Sequence, residues 1–193
     1  MSHVVIIAGS PSKRSRLTGL TDYSSQKLTE AGITVEVIHV VDLPAEDLVQ
    51  ARFDSSFIRD ALAVVEAADA VIVATPVYKA SYSGVLKLFL DLIPQEGLRG
   101  KLTLPLVIGG SIAHLLAIDY ALKPVLAALG GRHILGGVYA VDQGIERLDD
   151  GKFVLSADVT TRLDRSLDEL ILTLEKDGIT ISQNQVSLLD KSI

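Results

Sequence analysis

The residues best able to do chemistry fall in three short stretches, each directly behind an apolar run. Ala8-Gly9-Ser10-Pro11-Ser12-Lys13-Arg14-Ser15-Arg16 follows Val4 to Ile7, and Thr75-Pro76-Val77-Tyr78-Lys79-Ala80-Ser81-Tyr82-Ser83-Gly84 follows Ala70 to Ala74. Gly109-Gly110-Ser111-Ile112-Ala113-His114 follows Thr103 to Ile108. The first stretch gathers the hydroxyls of Ser10, Ser12 and Ser15 and the cations Lys13, Arg14 and Arg16 around Gly9, which lets the backbone turn closely. Backbone amides at a helix start lack partners and carry partial positive charge, so hydroxyls and cations beside them make an anion site. A serine-rich helix cap with solvated basic residues has the same composition. Its position behind the first strand of an α/β sheet favours the anion site. Neither the nucleoside triphosphate loop pattern nor a Gly-x-Gly-x-x-Gly fingerprint is present, so a monophosphate is the better guest.

The second stretch suits the other end of such a guest. Pro76 fixes its own φ and biases Thr75 toward an extended backbone, so the chain leaves the strand in a set direction. The N–H groups of Val77, Tyr78 and Lys79 are then placed to bond the polar edge of a flat ring, where donors stabilise a reduced flavin anion. Taken alone, Tyr78 and Tyr82 read as packing residues, and Lys79 reads as a solvated lysine rather than a ligand for an NADPH phosphate. In the third stretch, Gly109 and Gly110, with Ser111, allow close backbone approach to the ring. His114 reads as a local cap or packing residue. FMN is the expected guest. No catalytic side chain is assigned, because hydride transfer to a flavin needs stacking rather than a general base. Gly-x-Ser-x-Gly is absent, as are His-Glu-x-x-His and any run of alternating acidic ligands, so neither a triad nor a metal site is expected.

Positioning these stretches requires a sheet. Short β-branched runs at 4–8, 34–40, 70–74, 103–108 and 134–140 alternate with helical patterns at 16–31, 55–67, 84–93, 113–129 and 158–176, the signature of a parallel sheet with crossover helices. The runs are almost continuously apolar, as strands covered on both faces must be. In the fourth helix, Leu115, Ile118, Leu122, Val125 and Leu129 form one stripe that Pro124 interrupts. Loss of one donor and pressure on the carbonyl of Tyr120 predict a kink or a wide turn there, either a simple bend or a functional one. Residues 141–156 read as a hairpin turning at Asp150-Gly151. One domain spans 1–176, and 177–193 is a C-terminal extension, loosely held or binding a partner.

Composition narrows the function classes. The 193 residues are 48% hydrophobic, ample for a full core in a single domain. A net charge of −6 gives no general attraction to nucleic acid or anionic membrane. The absence of cysteine excludes disulfides, thiolate ligands, Fe–S clusters and thiol nucleophiles. Electrons that move here move through a bound organic cofactor. With no signal-peptide pattern and no long apolar span, a cytoplasmic protein is expected.

On these stretches the sequence resembles the NAD(P)H-dependent FMN reductases of flavodoxin-like fold, and within them the reductase components of two-component alkanesulfonate monooxygenase systems. The resemblance runs from residue 4 to about 140. It includes Ala8-Gly9-Ser10-Pro11, Ala51-Arg52-Phe53-Asp54-Ser55, the stretch Ala74 to Gly84, and Gly109-Gly110-Ser111 through the helix from His114 to Leu129. It implies a doubly wound, five-stranded parallel sheet with helices on both faces. The implied activity is hydride transfer from NADPH or NADH to FMN, with reduced FMN released to an FMN-dependent monooxygenase. Ser10, Ser15 and Arg16 would hold the FMN phosphate, with Ser12 beside them, while Pro76 to Lys79 and Gly109 to Ser111 would frame the flavin. Ala117 to Pro124 resembles the family's interface helix, in which a one-residue insertion at the tyrosine marks this branch. That implies an interface role for Tyr120 and its neighbour Asp119 in a homodimer or homotetramer. Where the family often carries arginine after Ser-Pro, this chain has Ser12, so Lys13 or Arg14 has to compensate. An FMN-bound quinone or azo reductase and a flavodoxin-type electron carrier are the alternative readings.

Overall fold

The computed structural model describes residues 2–189. Its strands and helices follow the chain as β1 (His3–Ala8), α1 (Leu17–Glu30), β2 (Thr34–His39), α2 (Ala45–Val49), α3 (Ser56–Ala67), β3 (Ala70–Tyr78), β4 (Ser81–Tyr82), α4 (Gly84–Leu90) and β5 (Leu102–Gly109). After a π turn at Ile118–Leu122 come α5 (Lys123–Ala128), β6 (His133–Ile134), β7 (Val138–Val141), β8 (Ile145–Arg147), β9 (Phe153–Leu155) and α6 (Ala157–Leu189). The parallel sheet runs β2-β1-β3-β5, and its fifth position is shared by β6 and β7. This is the expected doubly wound α/β sheet, and the order places β1 and β3 at its centre.

Side chains alternate between the two faces of each strand, and each face has its own core. Val4 and Ile6 of β1 pack with Leu17, Leu20 and Leu28 of α1 and with Leu163, Leu167, Leu170 and Leu174 of α6. Val5 and Ile7 pack with Ile58 and Val65 of α3, Leu86 and Phe89 of α4, and Leu122 and Leu126. The four leucines of α6 recur every three or four residues, so they form one buried stripe. Burying each is worth about 1.5–3 kcal/mol before the entropy cost.

The observed elements depart from expectation in ways that bear on the site. β3 does not stop at Ala74 but runs to Tyr78 and turns back through Lys79 and Ala80 into β4, with Val77 opposite Tyr82 and Tyr78 opposite Ser81. Lys79 and Ala80 have φ of 50° and 66°, the pair of positive values a tight two-residue hairpin demands and glycine usually supplies. The fifth strand is broken between Ile134 and Val138. Gly137 has φ of 87°, and a Cβ there would lie 2.9 Å from the carbonyl oxygen of Pro105, so only glycine lets the strand re-enter the sheet. The helix expected over 113–129 is interrupted by the π turn just ahead of Pro124, where the wide turn was predicted. The 141–156 hairpin is present, with Gly151 at φ 86°. Helix α6 continues past 176, where the hydrophobic periodicity weakens, and residues 190–193 of the expected extension lie outside the described residues. No helix among the described residues is long and apolar enough to cross a membrane.

Candidate functional site

A cleft of about 340 Å³ opens at the carboxyl edge of the sheet, over the ends of β1, β3, β5 and β7. It is lined from the first stretch by Arg14, Ser15 and Arg16, from the second by Pro76, Val77 and Tyr78, and from the third by Ile108, Gly109 and Gly110. The three stretches therefore converge on one cavity, as open α/β sheets gather their loops where strand order reverses.

The first loop is held by its own hydroxyls. Ser10, 6% exposed, accepts from the amide of Ser12 at 3.2 Å and donates to the Ser12 carbonyl at 3.0 Å. Ser12 in turn accepts from the amide of Arg14 at 3.1 Å, and Ser15 accepts from that of Leu17 at 3.2 Å. Of the three serines only Ser15 lines the cleft; Ser10 and Ser12 shape the loop around it. Lys13 is turned away and ion-paired with Asp42. Arg14 lines the cleft, so of the two candidates to compensate for Ser12 it is the one so placed. Arg16 lines it too, with its Nε donating to the carbonyl of Ile145 at 2.9 Å.

The first two loops are tied together below the cleft. Gly9 N–H donates to the Ala74 carbonyl at 2.8 Å, and the Ser83 hydroxyl donates to the Gly9 carbonyl. Ser83 also caps α4 by accepting from Leu86 N–H at 3.0 Å, and its own amide donates to the Thr75 hydroxyl at 3.0 Å. A Cβ on Gly9 would sit 2.5 Å from that of Leu86, so the loop can lie this close to α4 only with glycine. Thr75 and Ser83 are fully buried, which makes each of these bonds costly to lose.

The third loop is fixed from behind by Tyr139. This tyrosine is 2% exposed, and its hydroxyl donates to the Ser111 carbonyl at 2.7 Å. Burial pushes the phenol pKa up, and the nearby Asp142 carboxylate adds to that, so the hydroxyl remains a neutral donor. A Cβ on Gly109 would fall 2.1 Å from the Tyr139 oxygen, whereas one on Gly110 would meet nothing within 4 Å. The two glycines thus have different reasons. Gly109 makes room for the tyrosine behind the wall, and Gly110 leaves open space in front of it.

The remaining expected residues separate. Tyr78 is 52% exposed at the rim of the cleft rather than packed, while Tyr82 does pack against the core. Lys79 stands at the hairpin tip and Ser111 beyond the wall; neither lines the cleft. His114 is exposed in a single 3-10 turn, so it neither packs nor caps a helix start. Asp119 pairs with Lys123 at 2.7 Å, and Tyr120, 80% exposed, projects from the π turn. Sequence reasoning missed Asp142 and Arg147, which complete the cleft wall. The rule that found the other loops would have found them, since they follow the fifth strand at the same edge of the sheet. Among the described residues no group of acidic or histidine side chains is arranged to hold a metal ion.

Polar backbone, a hydroxyl and guanidinium groups surround a cleft with no acid–base pair, which suits an anionic, flat ligand whose own chemistry does the work. The family model described as NADPH-dependent FMN reductase matches residues 2–146. An FMN reductase (NADPH) of Pseudomonas putida is 52% identical over 142 residues, covering 74% of this chain and 72% of the relative. One from Escherichia coli is 45% identical over 181 residues, covering 92% and 93%. A crystal structure of an NADH:FMN oxidoreductase in its apo form superposes with a TM-score of 0.80 at 37% identity, covering 90% of each chain. The chain belongs to the NADPH-dependent FMN reductase family.

Proposed function

We propose that this NAD(P)H-dependent FMN reductase treats FMN as a substrate and passes reduced FMN to a monooxygenase, of the alkanesulfonate type. The carrying observation is the convergence of three strand-end loops on one cleft where, among the described residues, Arg14 and Arg16 have no carboxylate partner within 4 Å. The nicotinamide supplies hydride and the flavin accepts it. The chain binds and orients. Ser15, Arg14 and Arg16, with the first amides of α1, hold the FMN phosphate, while Ser10 and Ser12 keep that loop in shape. The backbone from Pro76 to Tyr78 and at Gly109 and Gly110 frames the ring, Lys79 and Ser111 continue these two walls beyond the cleft, and the open side of Gly110 receives the ring. A proton donor is not required of the protein, because hydride transfer to a flavin needs stacking rather than a general base.

Assembly enters the same proposal. Ile112, Leu116 and Tyr120 are 62%, 58% and 80% exposed along one short segment, an apolar surface suited to a second copy of the chain. Tyr120 and Asp119 are then interface residues of a homodimer or homotetramer.

A steady-state assay crossing NADPH and NADH against FMN, FAD and riboflavin tests the function. Strong stimulation of NADPH oxidation by free FMN, with FMN preferred over riboflavin, is expected. Indifference to added FMN would favour a tightly held flavin that reduces quinone or azo compounds, and no oxidation of either nicotinamide would favour an electron carrier.

A further inference from the structure

The β8–β9 hairpin brings Arg147 to the lining of the cleft that Arg14 and Arg16 also line. This hairpin is seated on α1 by specific contacts. A Cβ on Gly19 would fall 2.7 Å from Phe153 Cβ and 3.1 Å from Ile145 Cγ2, so the hairpin lies directly against the helix backbone. Arg16 Nε donates to the Ile145 carbonyl at 2.9 Å, and Ser156 N–H donates to the Gly144 carbonyl at 2.8 Å. Ile145 is 1% exposed, and residues two apart on a strand share a face, so the buried isoleucine sets the side from which Arg147 projects.

Among the described residues Arg147 has no carboxylate within 4 Å, although Asp142 lines the same cleft. Arg14 and Arg16 of the same cleft share this among the described residues, whereas Lys27, Arg52, Lys87, Lys123 and Arg162 are among the cations elsewhere that hold carboxylates. Guanidinium groups that line one cleft repel one another until an anion joins them, and their planar fork of donors matches the oxygens of a phosphate bidentately. The family model ends at residue 146, one position before this arginine.

We propose that Arg147 is a phosphate-contacting residue that grips a phosphate monoester of one of the two substrates, the 5′-phosphate of FMN or the 2′-phosphate of NADPH. The hairpin is the arm that delivers it, and the preference for the phosphorylated ligand depends on it. The inference rests on the reading of the cleft as the site of FMN and nicotinamide binding.

The test is equilibrium binding by the full chain and its Arg147→Gln variant, with turnover as a second readout. FMN is compared with riboflavin, and adenosine 2′,5′-bisphosphate with 5′-AMP. Losing a charge-assisted bond to phosphate should weaken one phosphorylated member by about ten- to a hundredfold while its partner is unchanged. Selective loss for FMN assigns Arg147 to the flavin phosphate, and selective loss for the bisphosphate assigns it to the 2′-phosphate. Equal loss within both pairs, or no loss in either, overturns the proposal. A wild-type protein that binds no FMN overturns the reading of the cleft itself, whereas tight FMN binding with unchanged ratios in the variant overturns only the role of Arg147. Arg147 is exposed and outside both cores, so the variant folds, and coincident thermal unfolding of the two proteins verifies that.

Discussion

Replacing Gly109 by alanine is the sharpest probe of how the ring-facing wall is built. The new methyl would lie 2.1 Å from the Tyr139 oxygen and 3.0 Å from its Cζ, where carbon contacts need about 3.5–4.0 Å. The phenol must therefore move by more than about 1 Å, which breaks its 2.7 Å bond to the Ser111 carbonyl. Overpacking of this kind costs about 1–3 kcal/mol, and leaving a buried polar group unpaired costs about 1–3 kcal/mol more. A total of about 2–6 kcal/mol corresponds to a fall in Tm of roughly 4–24 °C for a chain of this length. Tyr139→Phe alone should cost about 1 kcal/mol, the net worth of one hydrogen bond. With the oxygen gone, only the 3.0 Å contact with the ring remains, so Gly109→Ala should cost about 1 kcal/mol in that background. Urea unfolding of the wild type, both single variants and the double variant, followed by far-UV circular dichroism, measures the coupling. If the two single costs add to within about 0.5 kcal/mol in the double variant, the steric account of Gly109 is wrong.

Ser83→Ala removes the cap of α4 and the donor to Gly9, so a loss of about 1–3 kcal/mol and weaker FMN binding are expected; an unchanged Tm and FMN titration would refute the tie between the loops. Ala80→Gly relieves a left-handed backbone at φ 66° and should raise stability by about 1 kcal/mol, and a lower Tm in the variant counts against strain at this turn. The hydrogen bond from Lys27 holds the Asp164 carboxyl below its ordinary value of 3.8, with Tyr23 contributing against the opposing effect of burial. Its stabilisation is therefore present above that value and is lost as pH falls through the lower folded value. Asp164→Asn should flatten the acid limb of a Tm–pH curve below about pH 4, and parallel limbs for the two proteins would remove Asp164 from the account. Tyr120→Ala should change the assembly or flavin release with the fold retained. An unchanged mass by light scattering together with unchanged FMN affinity and turnover would argue against an interface there.

Much of the site was legible because its grammar is local. An apolar run followed by Gly, Ser and Pro marks a strand that stops at a ligand edge, and three such runs located Ser15, Pro76 to Tyr78 and Gly109-Gly110. The π turn was legible because Pro124 removes a specific hydrogen bond. What the residues concealed depends on partners distant in sequence. Pro76 reads as the end of a strand, yet it pairs with Ile108 in register and β3 continues through it. Gly109 lines the cleft, but that it must be glycine is explained by the phenol of Tyr139 behind it, 30 positions away in sequence. Lys13 looks as useful to a phosphate as Arg14 until Asp42, 29 positions away, claims it. Arg147 lies on the segment after the fifth strand, where the same rule applies, but the seating of its hairpin on α1 depends on the distant Gly19.

The bonds that join Thr75, Ser83 and Gly9 carry a consequence for anyone who would retune this protein. The Ser10–Arg16 loop and the Pro76–Tyr78 wall, which the proposed function gives to the phosphate and the ring of FMN, share one buried fastening, so they cannot be exchanged as separate modules. A graft that imports a new ring wall must bring its own threonine and serine, and must find a glycine waiting under α4. Riboflavin, which engages only one side of the fastening, should also leave the other side less ordered, and the phosphate should then add to FMN binding more than its own contacts account for.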